Sequence, residues 1–167
     1  MDKTLSKSYL PSPEGTFTFL TRRHDSPLEF DLAVATRQSS DNPVYYVQYA
    51  HARIRSIARQ AAEQGIVVPA WEAVDTSVLT EGEEQALIKR LLDYPEVVRG
   101  AARAYEPHRV AFWLRELAGA FHPYYKNYRV IQDDRRLTLA RLALCAAVGR
   151  VVANGLDLLG VSAPETM

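Results

Sequence analysis

At 167 residues, 47% of them hydrophobic, the chain has material for one domain with a substantial core and not for two. Twenty basic and 20 acidic residues leave a formal net charge of zero; this excludes indiscriminate attraction to nucleic acid through an overall positive field, so any such site has to be local. The lone Cys145 rules out an internal disulfide and a cysteine-based zinc site, and His24, His51, His108 and His122 show no ligand spacing, so no metal is expected.

Residues 1–18 carry prolines, a glycine, serines and lysines and read as an irregular N-terminal arm. The opening MDKTLSKSYL is too polar for a signal peptide and no apolar run is expected to span a bilayer, which points to a cytoplasmic protein with no membrane partner. Thr4-Leu5-Ser6-Lys7-Ser8 is too short a pattern to count as a nucleotide-binding loop. TFTFL at 16–20 fits a short strand or the entry to a helix. Residues 19–41 read as a helical connector, with a helix over 31–38 and a polar link at 39–41.

The next stretch, DNPVYYVQYAHARIRSIARQ at 41–60, is the best-marked helix of the chain. Asn42 offers a side-chain oxygen to the free N–H groups of the first turn, and Pro43 occupies the position where no N–H is needed. At about 100° per residue, Val47, Ala50, Ile54, Ile57, Ala58 and Ala61 form one apolar stripe for a core. The opposite face gathers Tyr45, Tyr49, Ala52, Arg53, Ser56 and Arg59. Phenol rings beside guanidinium groups suit single-stranded nucleic acid, where bases stack on rings and cations meet phosphates. By geometry alone the same face also fits half-buried tyrosines beside a solvated arginine flank.

Gly65 is a candidate helix terminator, and residues 66–79 read as an irregular surface loop. Thr80-Glu-Gly-Glu83 has the form of a capping box opening a helix that runs to Asp93, with Ala86, Leu87, Leu91 and Leu92 inward. A further helix is expected from Pro95, burying Val97, Val98, Ala101, Ala102 and Tyr105. Another starts at Pro107, burying Val110, Ala111, Leu114, Leu117, Ala118 and Phe121, until Pro123 ends or kinks it. Its tail, with His122, Tyr124, Tyr125, Lys126, Tyr128 and Arg129, is a second candidate binding surface; by composition Tyr124 and Tyr125 fit covering the end of a bundle equally well. A last helix spans 135–154, interrupted by Arg136, Arg141 and Arg150, with Cys145 a small buried thiol and Asn154-Gly155 as its end. Several helices with short connectors and no sustained strand pattern define an all-α helical bundle.

NPVYYVQYAHAR at 42–53 resembles the signature that opens the helical anticodon-binding domain (DALR type) of arginyl-tRNA synthetase, a class I synthetase. DSPLEFDL at 25–32 is similar to that family's connecting segment. YPEVV at 94–98, EPHR at 106–109, ELA at 116–118, FH at 121–122, RV at 129–130, LLGVSAPE at 158–165 and Met167 follow in the family's order, so the likeness covers about residues 19–167. The Asp-Ala-x-Arg type tetrad that names the family is absent near 13–16, Ala33 stands where an acid is usual, and Lys126 replaces a frequent asparagine. Lysine can meet a phosphate but cannot read a base with the amide's paired donor and acceptor.

The resemblance implies a tRNA-binding domain over 42–167 that recognises the anticodon arm of arginine tRNA, and not DNA. It assigns Tyr45 and Tyr49 to stacking and Arg53, Arg59, Lys126 and Arg129 to phosphates. It includes His122, Tyr124 and Tyr125 on the RNA side, and Met167, whose carboxylate would accept from a cytosine amino group. His51 and Arg109 are motif positions suited to packing. The family is an ATP-dependent arginine-tRNA ligase, but its His-x-Gly-His type nucleotide motif does not occur in this chain, and no substitute catalytic set stands out. No cofactor is therefore expected here; ATP would be used by a catalytic domain, joined in cis or acting in trans. The competing reading is a helical protein-interaction module without RNA binding, favoured by zero net charge and the acidic run Glu72, Asp75, Glu81, Glu83 and Glu84.

Overall fold

A computed structural model describes residues 16–17, 20–21, 41–68 and 70–167. The architecture is the expected all-α bundle: α1 (Pro43–Glu63), α2 (Gly82–Ala104), α3 (His108–Asn127) and α4 (Arg135–Leu158). Single 3-10 turns at Trp71–Ala73 and Thr76–Val78 lie in the loop between α1 and α2. No strand occurs among the described residues. Of the N-terminal arm and connector, Thr16, Phe17 and Leu20 are helical and Phe17 is fully buried; the helix expected at 31–38 and the connecting segment at 25–32 lie outside the described residues.

The start of α1 follows its sequence signals. Asn42 Oδ1 accepts from the Val44 N–H at 3.2 Å and the Tyr45 N–H at 3.5 Å. The helix stops because Gly65 takes a left-handed conformation (φ 68°), letting the Ile66 N–H bond back to the Ala61 carbonyl at 2.9 Å. Val47, Ala50, Ile54, Ile57 and Ala61 are buried as the stripe predicts, while Ala58, at the stripe's edge, is exposed. α1 packs on α3 and α4, and α2 on the same two.

Local signals mislead at three helix boundaries, and in each case tertiary packing overrides them. α2 is one helix running through Pro95. An interior proline costs about 3 kcal/mol, and the residue beside it supplies compensation: Tyr94 is buried, packs at a tilt against Trp113 with ring centroids 4.9 Å apart, and donates to Asn154 Oδ1 at 2.6 Å. α3 likewise passes through Pro123, held by the fully buried Phe121 and Tyr124. α4 runs beyond Asn154-Gly155 to Leu158. Gly155 is a packing residue, since a Cβ there would lie 2.7 Å from Leu114 Cδ2. The left-handed residue that stops α4 is Gly160 (φ 69°), after which the Val161 N–H returns to the Leu156 carbonyl at 2.9 Å.

Smaller corrections concern α2. The capping pair is Glu81 with Glu84, one residue beyond the Thr80–Glu83 pattern: the Glu84 carboxylate accepts from the Glu81 N–H at 3.1 Å. Leu87 is buried, but Ala86 and Leu92 are exposed, as are Ala102 and the left-handed Tyr105. The inward face is instead set by Glu84, Leu87, Tyr94 and Ala101. By length and composition α4 is apolar enough to cross a membrane, contrary to expectation, yet most of that stretch is buried inside the bundle.

The reason Glu84 points inward is a buried ion pair. Arg141 Nε meets Glu84 Oε1 at 2.7 Å, its Nη1 donates to the Arg129 carbonyl at 2.9 Å, and its guanidinium lies 5.2 Å from the centre of the Tyr128 ring. The side chains are only 6% and 0% exposed. One cluster thus ties α2, α4 and the segment after α3. Removing one partner strands the other charge in the core, so Arg141→Met should lower the unfolding free energy by about 3 to 5 kcal/mol. Urea unfolding reads this as a lower midpoint, of which Glu84→Leu combined with Arg141→Met recovers a large part; an unchanged midpoint for Arg141→Met contradicts the assignment.

Candidate nucleic-acid interface

Helical geometry sends Tyr45, Tyr49 and Arg53 to one side of α1 at successive turns, while α3 presents Tyr125 beside them. The Tyr45 and Tyr49 rings lie nearly parallel, 9° between planes and 6.0 Å between centroids. Arg53 closes the series. Its guanidinium is 4.5 Å from the Tyr49 centroid and 4.4 Å from the Tyr125 centroid, and its Nη2 donates to the Tyr49 hydroxyl at 2.6 Å. Rings with negative faces hold the cation in place of a carboxylate, and none of the described carboxylates pairs with it.

Around this series opens a cleft of about 350 Å³ lined by Tyr49, Ala52, Arg53, Ser56, Arg59, Tyr125, Thr166 and Met167. No acidic side chain is among them, so in a chain of zero net charge this surface is locally basic. Tyr125 also borders a second hollow of about 500 Å³, formed with Ile57, Gln60, Lys126 to Val130 and Ile131. Lys126 and Arg129 are exposed there. Tyr128 in the same hollow donates to Glu83 at 2.8 Å, and this bond is the chief reason its phenol is pushed up to about 12.

Of the expected site residues, Tyr49, Arg53, Arg59, Tyr125 and Met167 line the cleft and Lys126 and Arg129 the adjoining hollow; Tyr45 lines neither, and Tyr124, His122 and Arg59 are engaged differently from expectation. Tyr124 is fully buried and cannot stack on a ligand; burial, above all, drives its phenol pKa upward, and its hydroxyl has no hydrogen-bond partner among the described residues. His122 is half-buried behind the rings, 4.5 Å from the Tyr46 ring and 5.7 Å from that of Tyr49, with Nε2 3.1 Å from the Tyr46 carbonyl. It supports Tyr49 from beneath. Arg59 is exposed, but its Nη1 already donates to the Glu165 carbonyl at 3.2 Å.

Missed altogether was how the C-terminal segment is held. Gln48 Nε2 donates to the Ser162 carbonyl at 2.9 Å, His51 Nδ1 lies 2.8 Å from the Pro164 carbonyl, and Arg55 pairs with the Glu165 carboxylate at 2.9 Å. Gln48, His51, Arg55 and Arg59 recur every three or four residues, so a third stripe of α1 was present in the pattern. Nothing in the sequence said that its partner was the chain's own end.

The comparisons with known proteins bear on the family and the fold. The model of the DALR anticodon binding domain matches residues 47–167, and the chain belongs to that family. It is 56% identical over 151 residues to the arginine-tRNA ligase of Syntrophotalea carbinolica and 54% identical over 151 residues to that of Geotalea daltonii, in each case over 90% of this chain and 27% of the relative. The chain therefore spans about a quarter of the length of these curated relatives. Among solved structures, Thermus thermophilus arginyl-tRNA synthetase superposes with a TM-score of 0.79 at 35% identity, over 93% of this chain and 26% of that one. The Plasmodium falciparum arginyl-tRNA synthetase shares the fold, with a TM-score of 0.79 at 21% identity over the same shares of the two chains.

Two properties of the buried groups can be measured. Burial, reinforced by the nearby Arg53 charge and opposed by the Tyr46 carbonyl, lowers the His122 pKa from 6.5. The unfolded chain then binds the proton first, so stability present above pH 6.5 is lost as pH falls through the folded value. The urea midpoint should drop over that window, and His122→Gln should flatten the drop; an equal drop in both proteins contradicts the assignment. Tyr124→Phe removes a buried hydroxyl that has no partner among the described residues and should leave stability unchanged or raise it by up to about 1 kcal/mol, whereas a loss above that would reveal a bond to the hydroxyl.

Proposed function

We propose that residues 42–167 form a tRNA-binding domain that recognises the anticodon arm of arginine tRNA, as part of an arginine-tRNA ligase or as a free-standing relative of that part. The observation that carries the reading is the open cleft in which rings and guanidinium groups meet with no acidic side chain. An anticodon loop offers unstacked bases for aromatic faces, while the paired stem can be gripped only by shape and backbone. Tyr45 and Tyr49 take the stacking role, with Tyr125 as the opposite wall. Arg53 fixes the two tyrosines that flank it and adds positive charge to the cleft; Arg59, Lys126 and Arg129 meet phosphates around the rim. Met167 reaches the bases from the C-terminal side. Tyr124 is left out because it is buried.

Attachment of arginine with ATP belongs, in this reading, to a catalytic domain in cis or in trans, and the setting is the cytoplasm. The protein-interaction alternative loses support from three of the five acids that favoured it. Asp75 is engaged by Arg136, Glu83 by Tyr128 and Glu84 by Arg141, all within the chain.

A gel-shift titration with arginine tRNA and a second tRNA, each at two salt concentrations, tests the proposal. The expected result is tighter binding of arginine tRNA that persists at the higher salt; equal weak retention of both, vanishing with salt, would leave only nonspecific charge attraction. Tyr49→Ala should weaken specific binding by about 1 to 3 kcal/mol if a base stacks there. Unchanged affinity in a folded variant removes Tyr49 from the site.

A further inference from the structure

After Gly160 the chain has no secondary structure of its own, yet its end is fixed. Val161 is buried, and from there the segment lies along α1, whose side chains take its carbonyls one after another. Gln48 reaches Ser162, His51 reaches Pro164 and Arg59 reaches Glu165, while Arg55 pairs with the Glu165 carboxylate. A carbonyl can only accept, so His51 must carry its proton on Nδ1. The two inner members, Gln48 and His51, are buried at 6% and 7% exposure, whereas the Arg55 and Glu165 side chains are 46% and 62% exposed. Exposed pairs contribute little, and hydrogen bonds shielded from water contribute more. The hold on the segment therefore rests on Gln48 and His51. Neither lines the cleft, but the two residues that follow the held segment, Thr166 and Met167, do.

We propose that Gln48 and His51 are positioning residues for RNA recognition: they hold residues 162–165 against α1 so that Thr166 and Met167 complete the cleft beside Tyr49 and Arg53. The proposal rests on the RNA-binding reading given above. It makes the cleft a composite of two α-helices and a latched C-terminal segment, in which selectivity depends on side chains that never touch the ligand. Freed from its latch, the segment would have to be ordered at the moment of binding, at a cost in affinity.

The test combines amide hydrogen exchange without RNA and tRNA titration on the full chain, its Gln48→Ala/His51→Ala variant, and both with Met167→Ala added. Alanine suits a helix interior, so α1 should survive the double change; a circular dichroism melt checks this. The expected results are faster exchange of the amides at 162–163 and 165–167, with the rest of the chain unchanged, and an affinity for arginine tRNA lower on the order of tenfold. Preference over a second tRNA should shrink with it. Met167→Ala should weaken binding in the parent and add nothing in the latch variant, because coupled residues are not additive. Parental affinity and preference despite a freed segment overturn the proposal, as does a Met167→Ala effect of equal size in both backgrounds, or exchange that does not quicken. A parent that retains both tRNAs equally and weakly fails the RNA reading itself, and the proposal with it; the exchange data, which need no RNA, distinguish that failure from the absence of a latch.

Discussion

The constraint on which this structure depends is the allotment of α1 to three partners at once. Its 3.6-residue period distributes side chains over separate arcs. Val47, Ala50, Ile54, Ile57 and Ala61 go to the core, Gln48, His51, Arg55 and Arg59 to the chain's end, and Tyr49 and Arg53 to the open cleft, with Tyr45 stacked on Tyr49 beside it. A one-residue shift in α1 would turn all three arcs together. The strong N-terminal stop at Asn42-Pro43 and the Gly65 terminator therefore have a role beyond ending a helix, because they define its span at both ends.

The rest of the bundle serves to keep that helix and its neighbour α3 in register. Gly149 lets α4 come close enough to α1 that an added Cβ would lie 2.9 Å from Ile54 Cγ2. The Glu84 and Arg141 pair anchors the start of α2 and, through the Arg129 carbonyl, the segment that carries Arg129 on the rim. Behind the cleft a layer of rings, Tyr46, Phe121 and His122, backs Tyr49, and Arg53 links Tyr49 to Tyr125 across the gap between α1 and α3. Charge is placed economically in this arrangement. Arg53 and Arg59 line the cleft with no acidic side chain beside them, and nearby acids are occupied elsewhere, Glu165 by Arg55 and Glu83 by Tyr128.

The class of fold and the cleft side of α1 were legible because both rest on periodicity and capping, which are local. Boundaries were less so. Pro95, Pro123 and Asn154-Gly155 are breakers by local rule, and each lies inside a helix because buried neighbours, Tyr94, Tyr124 and Leu114, support the backbone there. Tyr124 and Tyr125 are adjacent and chemically identical, and only the three-dimensional packing distinguishes the buried ring from the one on the cleft. Arg53 looked like a free cation until the two rings around it were in view. The latch could not have been found by any local signal, since Gln48 and Ser162 meet across more than a hundred residues.

In the proposed complex the loop of a tRNA anticodon arm rests between α1 and α3, a contact that can be mapped residue by residue. An NMR titration of the 18.8 kDa chain with the anticodon stem-loop of arginine tRNA would follow the tyrosine rings and arginine side chains individually. The account predicts the largest shifts at Tyr45, Tyr49, Arg53, Tyr125 and Met167, with Leu92 and Tyr105 on α2 unmoved. Shifts centred on Leu92 and Tyr105, with Tyr49 and Arg53 at rest, would contradict it.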